Sequence, residues 1–390
     1  MLNRLLGGRR GPVQLLVAFA ILCVVGLTVG SASASNIVIR MVGSTTVNPI
    51  AGSTESGFEA LYPDTDLQIN GTQGSGYGKA QILEGTTEIG MSSSNLSAAD
   101  ACRDSSSPCT NPRAYGLSDV DDWLIARDAI SIIVDDDSSM NFLTSITKVQ
   151  LAYIYEASNH GGVANLYWDT VVPAISGAPH RLVYPRARIT TSGTRNSLGD
   201  MLGLHKGTPG TNGDGSTNFD YEQQTISDTH MDRRTENADM VSVIRDHPDS
   251  IGYVGLGYTE EAGIRVIPVQ GVMPSVATVQ DGTYPLSRVL HMITLKPAVD
   301  PDYTPRIQDY INYMFTADGQ QMVENAGFVS IAPNWDINVD HHGNISDVVS
   351  IGLHWGQSGA RRWIRADANS DGGCNISDVV LVGLHWNGTW

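Results

Sequence analysis

Three segments of the sequence place small hydroxyl residues beside glycine where a strand-like run ends. They are Gly43-Ser44-Thr45-Thr46, Gly74-Ser75-Gly76-Tyr77-Gly78 and Thr191-Ser192-Gly193-Thr194, and a helical pattern follows each one. The first N–H groups of a helix lack intrahelical acceptors and lie at the positive end of its dipole. Such donors can surround a tetrahedral oxyanion, and glycine lets the backbone approach it. For any one segment, simple helix capping is the alternative.

Two arginines lie just before the third segment. Arg186 and Arg188 are two residues apart in a strand-like run, so their side chains share one face of the strand. A guanidinium can donate two parallel hydrogen bonds to one oxyanion. We therefore predict an anion-binding role for this pair and assign it to Arg188.

The end of the chain contains one acidic pattern twice, at an offset of 31 residues. Oxygen ligands at positions 1, 3, 5 and 12 of a 12-residue loop suit calcium. The predicted ligands are Asp336, Asn338, Asp340 and Asp347 in the first copy, and Asp367, Asn369, Asp371, Asp378 and the carbonyl of Gly373 in the second.

The two copies differ at the turn. His341 stands in the first copy where the second has Gly372, so we expect the first calcium site to be weaker. Acidic surface turns without a metal are the alternative. Zinc bound by His341, His342, His354 or His385 has less support, because no close cysteine or His-x-x-x-His spacing accompanies them.

The charge of the chain excludes one class of partner. The 390 residues include 24 Lys and Arg against 41 Asp and Glu, a formal net charge of -17. This field repels phosphate backbones, so we expect no nucleic-acid partner. A bound anion must then be held by local donors.

The N-terminal segment has the order of a secretory signal. Arginines precede an apolar run at residues 15–29, and small residues follow up to position 35. We expect residues 1–35 to direct export to the periplasm, the cell surface or the outside, with retention as a membrane anchor as the alternative. Export permits a disulfide between Cys102 and Cys109.

Residues 36–333 alternate strand-like runs with helical patterns, which predicts an α/β fold. Strands joined by helices favour a mostly parallel sheet, whose ligands bind beyond the strand ends. The near-continuous apolar runs at 129–134 and 251–254 are typical of buried strands. A segment of this length favours two lobes over one.

Seven segments, in one order, resemble the periplasmic-type phosphate-binding proteins of ABC transporters. The segments are 43–50, 74–76 with 83–90, 126–130, 192–195, 251–258, 284–288 and 319–329. The resemblance implies a two-lobed periplasmic-binding-protein-like fold (type II) that closes on one phosphate and serves an ABC permease without being an enzyme. It places the first lobe at 36–126 and 282–333 and the second at 127–281.

The resemblance also implies contacts to phosphate. They come from Thr45, Ser75, Arg188, Ser192, Gly193 and Thr194. Position 93 carries Ser93 where some members have aspartate. A carboxylate accepts the proton of hydrogen phosphate and repels sulfate. Preference for phosphate over sulfate is therefore expected only if Asp128 supplies that acceptor, and a hinge or capping role is the alternative for Asp128.

The duplicated acidic pattern resembles dockerin type I modules over residues 335–390, which we assign to a domain at 334–390. This implies a small all-α, calcium-folded helix pair that docks into a cohesin domain. The sequence therefore predicts an exported phosphate receptor with a calcium-dependent docking module. A surface-assembly protein with a secondary oxyanion site is one alternative. A secreted phosphatase is another, but no Gly-x-Ser-x-Gly or aligned His and Asp partners support it.

Overall fold

Alternating apolar residues form strands close to where the sequence predicts them. The computed structural model describes residues 36–104, 109–155, 166–175, 177–189, 191–204, 232–359, 364–369 and 371–390. The predicted signal at 1–35 lies outside these residues. The strands are β1 (Ile37–Gly43), β2 (Thr65–Asn70), β3 (Ile89–Ser92), β4 (Val120–Asp135), β5 (Tyr184–Arg188), β6 (Asp232–Arg234), β7 (Ser250–Gly255), β8 (Ile264–Ile267) and β9 (Ser287–Leu295).

The strands form one sheet that is mixed, so the prediction of a mostly parallel sheet is wrong. Its order is β2-β1-β3-β9-β4-β7-β5-β6, and β8 also pairs with β4. Strand β1 is parallel to β2 and β3, and β5 is parallel to β6 and β7. Strands β4 and β9 are antiparallel to every strand they pair with. Apolar periodicity finds a strand but does not reveal its direction, which explains the error.

Helices connect the strands and cover the sheet. They are α1 (Asn48–Leu61), α2 (Ser75–Glu84), α3 (Lys148–Tyr155), α4 (Trp168–Val171), α5 (Gly193–Leu202), α6 (Asn237–Asp246), α7 (Val276–Gln280), α8 (Pro305–Met314), α9 (Ala317–Asn325), α10 (Ile345–Leu353) and α11 (Ile376–Leu384). Helices α1 and α8 begin with a proline in the first turn, where no N–H is needed.

Strand β4 contributes to both of the large apolar cores. Ile125 and Ala126 belong to the core that β1, α1 and α8 share. Ala129 and Ile130 belong to the core that α3, β7 and Trp168 share. One continuous strand therefore joins the two regions that the sequence assigns to separate lobes. The exact lobe boundaries stay predictions.

The disulfide that export would permit is present between Cys102 and Cys109. Cys374 is buried as a free thiol. In the part of the chain that the structure describes, no helix is long and apolar enough to cross a membrane.

Arg365 fastens the C-terminal helices to the rest of the protein. Its Nη1 donates to Glu324 Oε1 at 2.8 Å and to Ser330 Oγ at 2.9 Å. Its Nη2 and Nε donate to the carbonyl oxygens of Asp336 and Ile337 at 2.7 and 3.2 Å. The side chains of Arg365 and Glu324 are only 5% and 7% exposed. The C-terminal segment is thus packed against α9 through a buried ion pair.

Replacing Arg365 with alanine removes the cation that faces the buried Glu324. We expect the free energy of unfolding to fall by about 3 kcal/mol, because loss of one partner of a buried ion pair is strongly destabilising. Urea unfolding followed by tryptophan fluorescence measures the change.

Arg40→Ala is the matched control for this substitution. The Arg40–Glu88 pair lies at the surface, with the Arg40 side chain 52% exposed, where an ion pair contributes at most about 1 kcal/mol. Equal losses in the two variants would contradict the buried connection.

Candidate functional site

The three glycine–hydroxyl segments meet at one point. The Gly74 N–H donates to the Gly43 carbonyl at 2.8 Å, and the Gly76 N–H donates to the Thr191 carbonyl at 3.1 Å. Gly74 has a φ of +83°, and a Cβ there would lie 2.5 Å from the Thr191 carbonyl oxygen. Only glycine permits this close approach. Because Gly76 and Thr191 belong to different predicted lobes, the two lobes touch at this point.

Two helices begin at this meeting point, but capping accounts for only part of their hydroxyl chemistry. Ser192 is the N-cap of α5 and accepts the Arg195 N–H at 3.4 Å. Ser75 is the first residue of α2, and its Oγ accepts the Ser93 N–H at 2.9 Å. The capping alternative therefore applies to Ser192, while Ser75 binds a residue outside its own helix.

Six hydroxyl side chains gather here, and we call them the hydroxyl cluster: Thr45, Thr46, Ser75, Ser93, Ser192 and Thr194. Thr46 Oγ1 lies 3.0 Å from Thr194 Oγ1, and Ser75 Oγ lies 3.2 Å from Ser93 Oγ. All but Thr45 are buried, and Thr45 is half-buried. Gly193 lies between them, because a Cβ there would collide with the hydroxyls of Ser75 and Ser93. The structure thus brings the predicted hydroxyl residues together.

Arg188 reaches the hydroxyl cluster from the end of β5. Its Nη2 donates to Thr45 Oγ1 at 2.8 Å, and its Nη1 donates to Asn237 Oδ1 at 2.6 Å. The Nε donates to the carbonyl of Arg234 at 3.2 Å, opposite Arg188 on β6. The Arg188 N–H donates to the Tyr253 hydroxyl at 3.0 Å. These bonds hold the guanidinium beside Thr45.

Arg188 is 1% exposed, yet no ion pair among the described residues includes it. Burial is the main cause that lowers its pKa to about 10, which still leaves the group charged at neutral pH. A buried cation is costly unless a counter-charge compensates it. The site is therefore electrostatically prepared for an anion.

Asp128 lies next to the hydroxyl cluster but is engaged by protein donors. Its Oδ2 accepts Arg288 Nη2 at 2.7 Å and Nε at 3.0 Å. Its Oδ1 accepts the Leu256 N–H at 2.8 Å. Arg288 also donates to Thr194 Oγ1 at 3.0 Å and to the Ser93 carbonyl at 3.2 Å. Asp128 thus holds Arg288 between residues of both predicted lobes.

Some residues of this site were missed at the level of sequence. Arg288, Asn237 and Tyr253 are distant in the chain from the segments they support, so no local pattern indicates their role. Thr46 could have been found, because it lies in the first hydroxyl segment beside Thr45. Arg186, which shares a strand with Arg188, donates instead to Ser250 Oγ at 3.1 Å, away from the hydroxyl cluster.

A family model described as a PBP superfamily domain matches residues 29–318. The chain belongs to the PBP superfamily. Among curated relatives, the phosphate-binding protein PstS of Borreliella burgdorferi is 24% identical over 305 residues, which cover 75% of this chain and 90% of that protein. The match to the PBP superfamily ends before α10, so the two C-terminal acidic loops lie outside it.

Solved structures agree with the PBP superfamily assignment. A putative phosphate ABC transporter substrate-binding protein from Clostridium perfringens, with bound phosphate, matches with a TM-score of 0.57 at 20% identity and covers 76% of this chain and 100% of that chain. An ABC-type phosphate transport receptor from Vibrio cholerae matches with a TM-score of 0.54 at 18% identity, covering 75% of this chain and 99% of that chain. These matches confirm the predicted periplasmic-binding-protein-like α/β fold.

The two acidic loops adopt the same hydrogen-bond pattern. In the second loop, the Asp367 carboxylate accepts the N–H groups of Asp371 and Gly372, each at 3.0 Å. The Asp378 carboxylate, at position 12, accepts the Asn369 N–H at 3.0 Å. The predicted ligands of this loop are thus gathered by the backbone, and the Gly373 carbonyl accepts Asn375 Nδ2 at 2.8 Å.

The first loop repeats these contacts with one difference. Asp336 accepts the N–H groups of Asp340 and His341 at 3.1 and 2.8 Å, and Asp347 accepts the Asn338 N–H at 3.3 Å. His341 has a φ of +70°, the left-handed conformation that glycine adopts more easily.

Neither loop presents a ready metal site of side chains. No group of three or more His, Cys, Asp or Glu side chains that could hold a metal occurs among the described residues. In the first loop, Trp390 Nε1 also donates to Asp336 Oδ2 at 2.6 Å. A cation in the first loop would share Asp336 with these hydrogen bonds.

Gly193→Ala tests whether the lobes must approach closely. The added Cβ would meet the hydroxyls of Ser75 and Ser93, and overpacking of this kind costs about 1–3 kcal/mol. We expect affinity for inorganic phosphate, measured by calorimetry, to fall about 5- to 150-fold.

Gly52→Ala is the control, since a Cβ at Gly52 in α1 has no atom within 4 Å. Its affinity should match that of the wild type. An unchanged affinity in Gly193→Ala would show that the contact between the lobes does not shape the site.

Proposed function

We propose that this chain is an exported receptor that binds inorganic phosphate between two lobes and presents it to the permease of an ABC importer. The observation that carries the proposal is Arg188, a buried guanidinium outside the ion pairs of the described residues. It contacts Thr45 in the hydroxyl cluster. A phosphate anion would supply the missing counter-charge and accept the surrounding donors.

The surroundings of Arg188 favour a small tetrahedral anion. Helices α2 and α5 begin at the hydroxyl cluster, and the first N–H groups of a helix are suited to oxyanions. The cluster is almost fully buried, so hydrogen bonds within it are stronger than in water. Opening and closing of the lobes would admit the anion and signal its presence to the permease.

The relatives support a protein that binds phosphate and does not catalyse a reaction. The PstS protein named above is described as phosphate-binding, and the two solved structures are described as components of phosphate transport. Among the described residues, no carboxylate hydrogen-bonds to a hydroxyl of the cluster, and Asp128, the partner of Arg288, is neutralised by it. A phosphatase would need an activated nucleophile or paired metals, so we propose a receptor and not an enzyme.

Arg188→Ala should weaken phosphate binding far more than Arg186→Ala. Loss of a charge-assisted hydrogen-bonding partner costs about 1.5–3 kcal/mol, which is about 10- to 150-fold in affinity. Arg186 is a matched control because it is also buried on β5 but donates to Ser250. Calorimetry with inorganic phosphate measures both variants, and equal small losses would contradict the assignment.

We also propose that residues 334–390 form a dockerin-like module that binds calcium. The observation in favour is the repeated backbone arrangement, in which Asp336 and Asp367 organise matching loops. Carboxylate and amide oxygens at these spacings suit calcium. Burial raises the pKa of Asp347, and a bound cation would favour its ionised form.

An exposed apolar face supports a docking role for this module. The exposed residues recur every four positions on the two helices: Ile345, Val349 and Leu353 on α10, and Ile376, Val380 and Leu384 on α11. Leu353 and Leu384 are 73% and 75% exposed. Unburied leucines on adjacent helices are typical of a partner surface, and we propose a cohesin domain as the partner.

Asp371→Ala should reduce calcium binding more than Asp340→Ala. Both residues occupy position 5, but the loop of Asp340 carries His341 at the turn and a Trp390 hydrogen bond to Asp336. Calorimetry of residues 36–390 with calcium, after treatment with chelator, measures affinity and the number of sites.

The same preparations can be assayed for capture by an immobilised cohesin domain, with and without calcium. Failure of the wild type to bind calcium would overturn the metal proposal. A larger effect from Asp340→Ala would reverse the ranking of the loops. Calcium binding without capture would count against the cohesin partner alone.

A further inference from the structure

Protein N–H groups determine how the hydroxyls of the cluster can orient their protons. Arg188 Nη2 donates to Thr45 Oγ1 at 2.8 Å, and Arg288 Nη2 donates to Thr194 Oγ1 at 3.0 Å. The Ser93 N–H donates to Ser75 Oγ at 2.9 Å. Guanidinium and backbone N–H groups only donate. Each of these three hydroxyl oxygens therefore accepts from the protein, and its proton is directed to another acceptor.

The hydrogen bonds between the hydroxyls of the cluster use only some of the hydroxyl protons. Thr46 and Thr194 share one hydrogen bond of 3.0 Å, which uses one of their two protons. Ser75 and Ser93 share one of 3.2 Å, which again uses one of two. Each pair therefore keeps a proton for a ligand. Thr45 adds a third donor, so the hydroxyl cluster presents several donors to an anion beside Arg188.

The carboxylate of Asp128, which holds the Arg288 that donates to Thr194, is already engaged by protein donors. Both oxygens of Asp128 accept protein N–H groups, from Leu256 and from Arg288. Asp128 is 0% exposed, and its charge is balanced by Arg288. No carboxylate hydrogen-bonds to the hydroxyl cluster within the described ranges. The remaining acceptors at the site are neutral hydroxyl oxygens, which do not repel a dianion that lacks a proton, such as sulfate.

We propose that this site recognises tetrahedral dianions by charge and shape without reading a proton on the ligand, so that sulfate binds about as well as phosphate. The inference rests on the proposed function, because it requires the anion to lie beside Arg188. Asp128 then acts as a positioning residue, which holds Arg288 so that Thr194 turns its proton toward the ligand. It does not select between the two anions.

The test is calorimetry of residues 36–390, freed of bound anion, with sodium phosphate and sodium sulfate separately and in competition. We expect dissociation constants within about tenfold of each other, since a shared set of donors and one charge serve both ligands. Sulfate binding more than about 100-fold weaker than phosphate would overturn the inference and leave the phosphate receptor intact. Binding of neither anion would overturn the proposed function itself.

Two variants test the role of the carboxylates. Ser93→Asp places a fixed charge beside Ser75 and should lower the affinity for sulfate, relative to phosphate, by about tenfold or more. Asp128→Asn should weaken both anions by the same factor and leave their ratio unchanged. A ratio that shifts toward sulfate in Asp128→Asn would show that Asp128 accepts the phosphate proton, and an unchanged ratio in Ser93→Asp would place the anion elsewhere. Either result would overturn the inference.

Discussion

The site depends on the burial of the Arg188 guanidinium, which removes a positive charge from water at a cost in free energy. Backbone carbonyls and Asn237 hold it in place, yet burial still lowers its pKa. Neutral dipoles stabilise a cation less than a charge does. The buried charge of Arg188 therefore lowers the stability of the folded chain. A bound anion can compensate that charge, so the same group that weakens the fold favours anion binding.

The second arginine of the site, Arg288, has a different role, which is to position neighbouring groups by hydrogen bonds. Its charge is neutralised by Asp128, so it adds hydrogen bonds and little field. Those bonds reach Ser93 and Thr194, which belong to different predicted lobes. In the proposed receptor, one arginine would attract the ligand while the other aligns the groups that surround it.

Local chemistry made part of this arrangement predictable. A glycine and a hydroxyl residue at the start of a helix leave a signature in a few consecutive positions, so Thr45, Ser75 and Thr194 were found from the sequence. The pairing of Asp128 with Arg288 was not, because it spans 160 residues and depends on how β4 and β9 meet. The direction of those strands was missed for the same reason. The duplicated loops were evident as a sequence pattern. The hydrogen bond from Arg365 to Glu324 was not, because the two residues are distant in the chain and no short-range pattern marks the pair.

The attachment through Arg365 has a mechanical consequence. The C-terminal helices are joined to α9, in the predicted lobe that carries Thr45 and Ser75, and not to the one that carries Arg188. If a partner holds those helices still, the first lobe is immobilised with them. In the proposed receptor, the movement that separates the lobes would then be carried by the second lobe alone. The Arg188 guanidinium would move with it, while four of the six residues of the hydroxyl cluster would stay fixed.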